Sequence, residues 1–355
     1  MKGTHDLRHG VLWKQILLFA LPIAATSMLQ QLFNSADVAV VGQFSAQKEL
    51  ALAAVGSTSS IVNLYITIFT GLAVGANVVI ARLIGAEEEG EVRKAVHTSL
   101  VVAVLCGAVL MVVGECLAGP LLRWMDTPEN IIHLARQYLQ IYLLGAIFQM
   151  VYNFEAAILR ANGDTRRPLL CLLLSGGVNV VLNLVFVLLF HMDVAGGGLA
   201  TGIADGVGAG LLWHYLRRET GPIRVEPALL RLDRKLLRGI LYIGIPAAIQ
   251  GMMFNIANVI IQSGINRLGS DVVAASTIGV TAEIFVYYLL NSFGQASMTF
   301  NGQNYGAGNK KRLAQGLKTA TILSCAFSLA ISALVWVFAP NLMGIFIKAE
   351  ETAVI

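Results

Sequence analysis

The chain repeats itself. Leu21-Pro22 opens an apolar segment that reads on through Asn34, and Ile245-Pro246 opens another that reads on through Asn258. Gly85-Ala86 ahead of a charged stretch is echoed by Gly306-Ala307 ahead of Asn309-Lys310-Lys311-Arg312. Ala118-Gly119-Pro120-Leu121-Leu122 returns as Phe338-Ala339-Pro340-Asn341-Leu342. The offset between copies drifts by only a few residues, as short loop deletions produce. A duplicated chain is built from two equivalent halves, which leaves few architectures open. The first copy runs on well past Pro120 while little follows Pro340, so the second half is expected to be incomplete.

Those halves belong in a membrane. Hydrophobic residues make up 56% of the chain and charged ones 13%, about half the ~25% of soluble domains, and the mean hydropathy is +0.70. Nine stretches are long and apolar enough to cross a bilayer, near 15–41, 51–80, 93–118, 131–158, 168–190, 194–216, 237–262, 272–300 and 313–338. A tenth is expected to begin near Met343. The fold class is therefore an all-α polytopic membrane protein of two pseudo-symmetric bundles: six helices, then an incomplete set of three to four. No cleavable signal peptide is visible, because the first segment is far longer than a signal's apolar core.

Lysine and arginine set the orientation. Most of the 25 basic residues fall at the N-terminus and in the loops after spans two, four, six and eight, including Arg160, Arg166 and Arg167. The positive-inside rule places those segments in the cytoplasm. The net charge of +4 follows from this topology and implies no nucleic-acid partner. The stretch 217–236 is basic, carries Pro222 and Pro227, and divides an N-terminal bundle (1–216) from a C-terminal one (237–355). Cys106, Cys116, Cys171 and Cys325 lie in apolar spans without metal-ligand spacing and read as small buried hydrophobes.

Ionisable groups inside hydrocarbon are costly and mark function by default. Asp37, Glu115, Glu155, Asp205 and Glu283 fall within spans; Glu115 and Glu155 are close enough to span ends to reach an interface. At ~1.5 Å per residue, Asp37, Asn179, Asn183, Thr201 and Asp205 share a layer roughly 6–16 Å beneath the outer surface. Asn34/Asp37 are i,i+3 and Asn179/Asn183 and Thr201/Asp205 are i,i+4, so each pair shares a helix face. Carboxylate, amide and hydroxyl oxygens at one depth could hold a proton or a small hard cation. Taken singly, the amides and hydroxyl are equally ordinary interhelical glue. In the second copy, Gln250, Asn255, Asn258, Glu283 and Gln303 suit a water-filled cavity. Tyr287, one turn from Glu283, adds an aromatic face for an organic cation; with Asn34 these form the expected substrate lining. Gly202 and Gly206 form a GxxxG pair suited to close helix packing.

The chain resembles the multidrug and toxic compound extrusion (MATE) transporters. The resemblance is carried by Leu21-Pro22 through Asp37 with Val41-Gly42, by Leu159-Arg160-Ala161-Asn162-Gly163-Asp164 with Pro168, and by Gly302-Gln303-Asn304-Tyr305-Gly306-Ala307. It extends over essentially the whole chain. It implies two six-helix bundles with cytoplasmic termini, three helices of the second being absent, and export of amphipathic cations in exchange for Na⁺ or H⁺. It also matches the family's first-helix acid to Asp37, its fifth-helix Asn and acid to Asn179 and Asn183, and its sixth-helix hydroxyl to Thr201. These four would then be the Na⁺ ligands. Asn183 stands where many relatives carry a carboxylate, and Met253-Phe254-Asn255 lacks the seventh-helix acid of some branches. Asp205, one turn past Thr201, is the expected replacement carboxylate.

The expected function is thus a cation-coupled antiporter, not an enzyme, in the cell membrane with its N-terminus cytoplasmic. It would be monomeric, without a cofactor beyond its coupling ion, and work by alternating access on small-molecule cargo. Two rival readings are a lipid-linked oligosaccharide flippase, which would line its cavity with several Arg or Lys, and an inactive exporter fragment. No nucleophile–base or metal-protease motif is present to make an enzyme.

Overall fold

Long apolar runs bounded by short polar loops fold as helices throughout the computed structural model, which describes residues 7–45, 48–266 and 270–346. In chain order these are α1 (Leu12–Phe44), α2 (Lys48–Gly85), α3 (Glu89–Trp124), α4 (Glu129–Leu144), α5 (Ala146–Ala161), α6 (Arg166–Leu184), α7 (Asp193–Arg218), α8 (Arg234–Asn266), α9 (Ser270–Gly306) and α10 (Lys310–Phe346). The chain is all-helical and crosses the membrane many times. Each of the nine expected spans falls on a helix or a pair of helices. The fourth is such a pair: α4 and α5 are bent by 46° at Gly145. A side chain there would strike Gly202, since a methyl group on Gly145 would lie 2.8 Å from the Gly202 Cα. The expected close packing around Gly202 is thus made against the bend of the fourth span.

Two expectations need correction. No separate stretch begins at Met343, because α10 continues unbroken through it to Phe346. Among the described residues six helices pass on length and hydropathy alone, and the α4–α5 pair makes a seventh. Helix α7 falls short because it is rich in glycine, and several of those glycines are buried against neighbouring helices.

The repeat is visible in the helices. α1 and α8 each have 33 residues, α2 and α9 have 38 and 37, and α3 and α10 have 36 and 37. Helices α1–α7 pack into one bundle, with α3 on α5, α5 on α7, and α6 on both α1 and α7. Between bundles, α1 lies against α9 and α2 against α8 and α9. The repeat partners Gly85 and Gly306 sit at this seam. A methyl group on Gly85 would overlap the Gln303 carbonyl, and one on Gly306 the Arg82 carbonyl. Backbone touches backbone where α2 crosses α9.

The stretch between bundles is pinned rather than loose. The Glu226 N–H donates to His97 Nε2 at 3.0 Å, while His97 Nδ1 lies 2.7 Å from the Arg93 carbonyl. The Asp233 N–H donates to Thr98 Oγ1 at 3.2 Å. Asp233 Oδ1 accepts from the Leu236 and Lys235 N–H groups at 3.0 and 2.9 Å and so caps α8. These bonds, Leu236's first, hold its carboxyl below the usual carboxylate range.

Candidate functional site

Small residues let α1, α6 and α7 approach one another closely. Gly176 on α6 lies under the Phe33 ring of α1, where any side chain would collide. Gly197 on α7 faces Val41 of α1, and a methyl group there would lie 3.1 Å from Val41 Cγ2. One turn beyond each glycine come Asn179 and Thr201, which are thereby delivered to Asp37.

The four polar groups form one hydrogen-bonded knot. Asn183 Nδ2 donates to Asp37 Oδ1 at 2.6 Å, and Thr201 Oγ1 donates to Asp37 Oδ2 at 3.1 Å. Asn179 Nδ2 reaches that second oxygen at 3.4 Å and Thr201 Oγ1 at 3.3 Å. Asn183 Nδ2 also donates to Asn179 Oδ1 at 3.4 Å. Asp37, Asn179 and Asn183 are all buried, and Asp37 has no basic partner among the described residues. Val41, Val55, Tyr138 and Val194 form an apolar cluster beside the knot. Just past Asn183 the helix widens into a π-turn over Val185–Leu189, a distortion that recurs at functional sites.

The donor set around Asp37 suits a cation. A buried carboxylate without a counter-charge is costly unless its oxygens are engaged, and here every donor facing it is neutral. Asn183 Oδ1 is buried with no hydrogen-bond partner at all. Such an acceptor, beside a carboxylate, a second amide and a hydroxyl, matches the oxygen-only donor set of a small hard cation, and equally the needs of a proton. Among the described residues no group of three His, Cys, Asp or Glu could hold a metal ion.

The remaining expected site residues scatter. Asp205 is half-buried on α7, one turn past Thr201, and hydrogen-bonds to none of the four. Asn34, Gln250, Asn258 and Glu283 are exposed. Asn255 donates to Thr67 Oγ1 of α2 at 2.8 Å. The Tyr287 ring stacks on Phe254 with centroids 4.9 Å apart and 10° between planes. Gln303 does not join them: it is buried, donates to the Ala161 carbonyl at 2.8 Å and accepts from the Leu7 N–H at 3.3 Å. Its amide ties the two bundles together.

A second polar cluster lies at the seam between the bundles. Arg160, by position a loop cation, lies in the last turn of α5 and donates through Nη1 to Gln295 Oε1 of α9 at 2.7 Å. Beside it Thr299 Oγ1 donates to Asn77 Oδ1 at 2.9 Å. Its forewarning in the sequence is the run of amides in the second copy, to which Gln295 belongs, and the motif around Arg160, which says nothing of direction.

Known proteins agree with this fold. The MatE family profile matches residues 22–185 and 246–355. The chain is 28% identical over 347 residues to the probable multidrug resistance protein YoeA of Bacillus subtilis, covering 96% of this chain and 74% of that one. The structure of a MOP superfamily transporter from Pyrococcus furiosus superposes with a TM-score of 0.89 at 26% identity, over 100% of this chain and 78% of the other. An outward-facing multidrug resistance MATE transporter of the MOP superfamily gives 0.89 at 25% identity, with the same coverage. Duplicated bundles, a buried acid among amides and a profile that matches both repeats place this chain in the MatE family of multi-pass membrane transporters.

Proposed function

We propose that this protein exports amphipathic small molecules, the default class being organic cations, in exchange for H⁺ or Na⁺ bound at Asp37. Its site is the cell membrane, with the N-terminus in the cytoplasm. The observation that carries the reading is an acid buried among three helices of a single bundle, set apart from the seam where the bundles meet. Antiport needs cargo and ion to prefer different states of the protein, since equal affinity for both shifts nothing. An ion site within one bundle and a cargo site between the two give each ligand its own contacts to change between states.

Occupancy at Asp37 acts on α1, the helix that also forms much of the seam through Ile16, Phe19, Ala20 and Ile23 against Phe293, Ala296 and Phe300 of α9. Pro22 lies within this seam stretch and interrupts the hydrogen-bond ladder of α1 there, and the Thr26 hydroxyl donates to its carbonyl at 2.8 Å. The helix thus has a natural flexing point at the seam itself. The bundles touch at the end bearing the basic loops, which supports an outward-facing arrangement.

The test is efflux of a fluorescent organic cation from cells lacking other pumps. Asp37→Asn is expected to reach the membrane in normal amount and lose transport; normal efflux by that variant would end the coupling proposal.

A further inference from the structure

One charged group in the seam is left unbalanced. Arg160 projects from α5 into a small pocket between the bundles, ≈ 20 Å³ in volume, shared with Thr70 and Asn77 of α2, Asn153 of α5, and Gln295 and Thr299 of α9. Its guanidinium makes two bonds, from Nε to the Ala156 carbonyl at 3.2 Å and from Nη1 to Gln295 at 2.7 Å. Both acceptors are neutral. Nη2 makes neither of these bonds, and among the described residues no carboxylate lies within ion-pair distance of Arg160. The pocket lining holds amides and hydroxyls but no acid. A guanidinium drawn partly out of water into a seam normally acquires a counter-charge, because an unpaired one is costly. Most of its neighbours are already committed: Asn77 Nδ2 to the Ala157 carbonyl at 3.1 Å, Gln295 Nε2 to Asn291 at 3.2 Å, and Thr70 to the Ile66 carbonyl at 2.9 Å.

We infer that Arg160 is the anchor for an anionic group on the cargo, a carboxylate or phosphate ester carried by an amphipathic molecule lying between the bundles. The inference rests on the export reading and refines the cargo's charge: molecules that are zwitterionic or anionic are favoured over simple cations at this end of the seam. A guanidinium is suited to the task because its fork donates two parallel bonds to one carboxylate or phosphate. The pocket as it stands has room for about one water, so the cargo's anion meets Arg160 at the pocket's mouth and its apolar body stays outside. Because α5 belongs to one bundle and Gln295 to the other, the anion also sits where the bundles separate, and its binding competes with the Arg160–Gln295 bond that joins them.

The experiment uses the full chain in discs of zwitterionic lipid and two forms of one xanthene dye, the free carboxylate and its ethyl ester, followed by fluorescence anisotropy. The wild type is expected to bind the carboxylate dye more tightly than the ester. Arg160→Gln should weaken the carboxylate dye roughly tenfold, the worth of ~1.4 kcal/mol, and change the ester less than about twofold, within the scatter expected of a lost rim contact. Arg160→Lys, which keeps the charge, should recover part of the difference. Equal loss for both dyes in Arg160→Gln would show a structural strut and overturn the inference, as would a wild type that binds the ester alone. A wild type that binds neither form would instead remove the export reading itself. Discs rich in phosphatidylglycerol separate cargo from lipid: unchanged affinity supports a soluble ligand, whereas displacement of the dye assigns the pocket to a lipid headgroup and overturns the cargo assignment.

Discussion

Helices α1 and α8 begin as copies and end differently. Each is 33 residues long with a proline in its interior, Pro22 and Pro246, and each carries an asparagine at the matching later position, Asn34 and Asn258. One turn further the likeness fails. The first copy has Asp37, buried and engaged by three donors; the second has Ile261 at the corresponding place, exposed. Duplication supplied the frame twice, but at this position only the first copy carries an acid. That difference teaches where coupling can reside: an acid is tolerable at this depth only where α6 and α7 bring amides and a hydroxyl to it.

The largest effect should come from moving the acid between the copies. Asp37→Ile combined with Ile261→Asp is expected to lower efflux by more than about 100-fold, near 2.7 kcal/mol, because among the described residues none gives Ile261 a counterpart of the Asn179–Asn183–Thr201 set. Recovery of coupled efflux in the double variant would show that position alone, not the knot around it, makes the site.

Breaking the packing beneath the acid should cost less. Gly176→Val forces Phe33 aside, and overpacking of this kind costs about 1–3 kcal/mol. A lower thermal midpoint in detergent together with weaker ion binding is expected. A destabilised protein whose ion affinity is unchanged would separate the glycine's packing role from delivery of Asn179.

Smaller still is Asp205→Asn. As a nearby second acid without a bond to the knot, Asp205 acts on a bound cation through space, where the interaction is modest, so a few-fold loss of ion affinity is expected. No change in ion-driven efflux, with Asp37→Asn inactive, would remove Asp205 from the account.

Much of the first bundle is legible in the sequence. Hydropathy locates the spans because lipid demands continuous apolar length, and a shared depth at a fixed rise per residue groups Asp37, Asn179, Asn183 and Thr201, whereas spacing alone also enlists Asn34 and Asp205, which stay out of the knot. The second bundle is harder to read. An amide within a span suits a wet cavity or a helix–helix tie equally well, and only coordinates show Gln303 spent on Leu7 and Ala161. Arg160 reads as one more loop cation, since charge near a span end carries no record of facing inward. The bend at Gly145 lies hidden in an apolar run whose composition is the same bent or straight.

The most direct test of the central claim is ion binding by the purified full chain, measured as proton release on adding Na⁺ and as Na⁺ uptake at fixed pH, in wild type and Asp37→Asn side by side. The account predicts one saturable event in the wild type, with either ion, that is missing from the variant. An unchanged event in Asp37→Asn would contradict it.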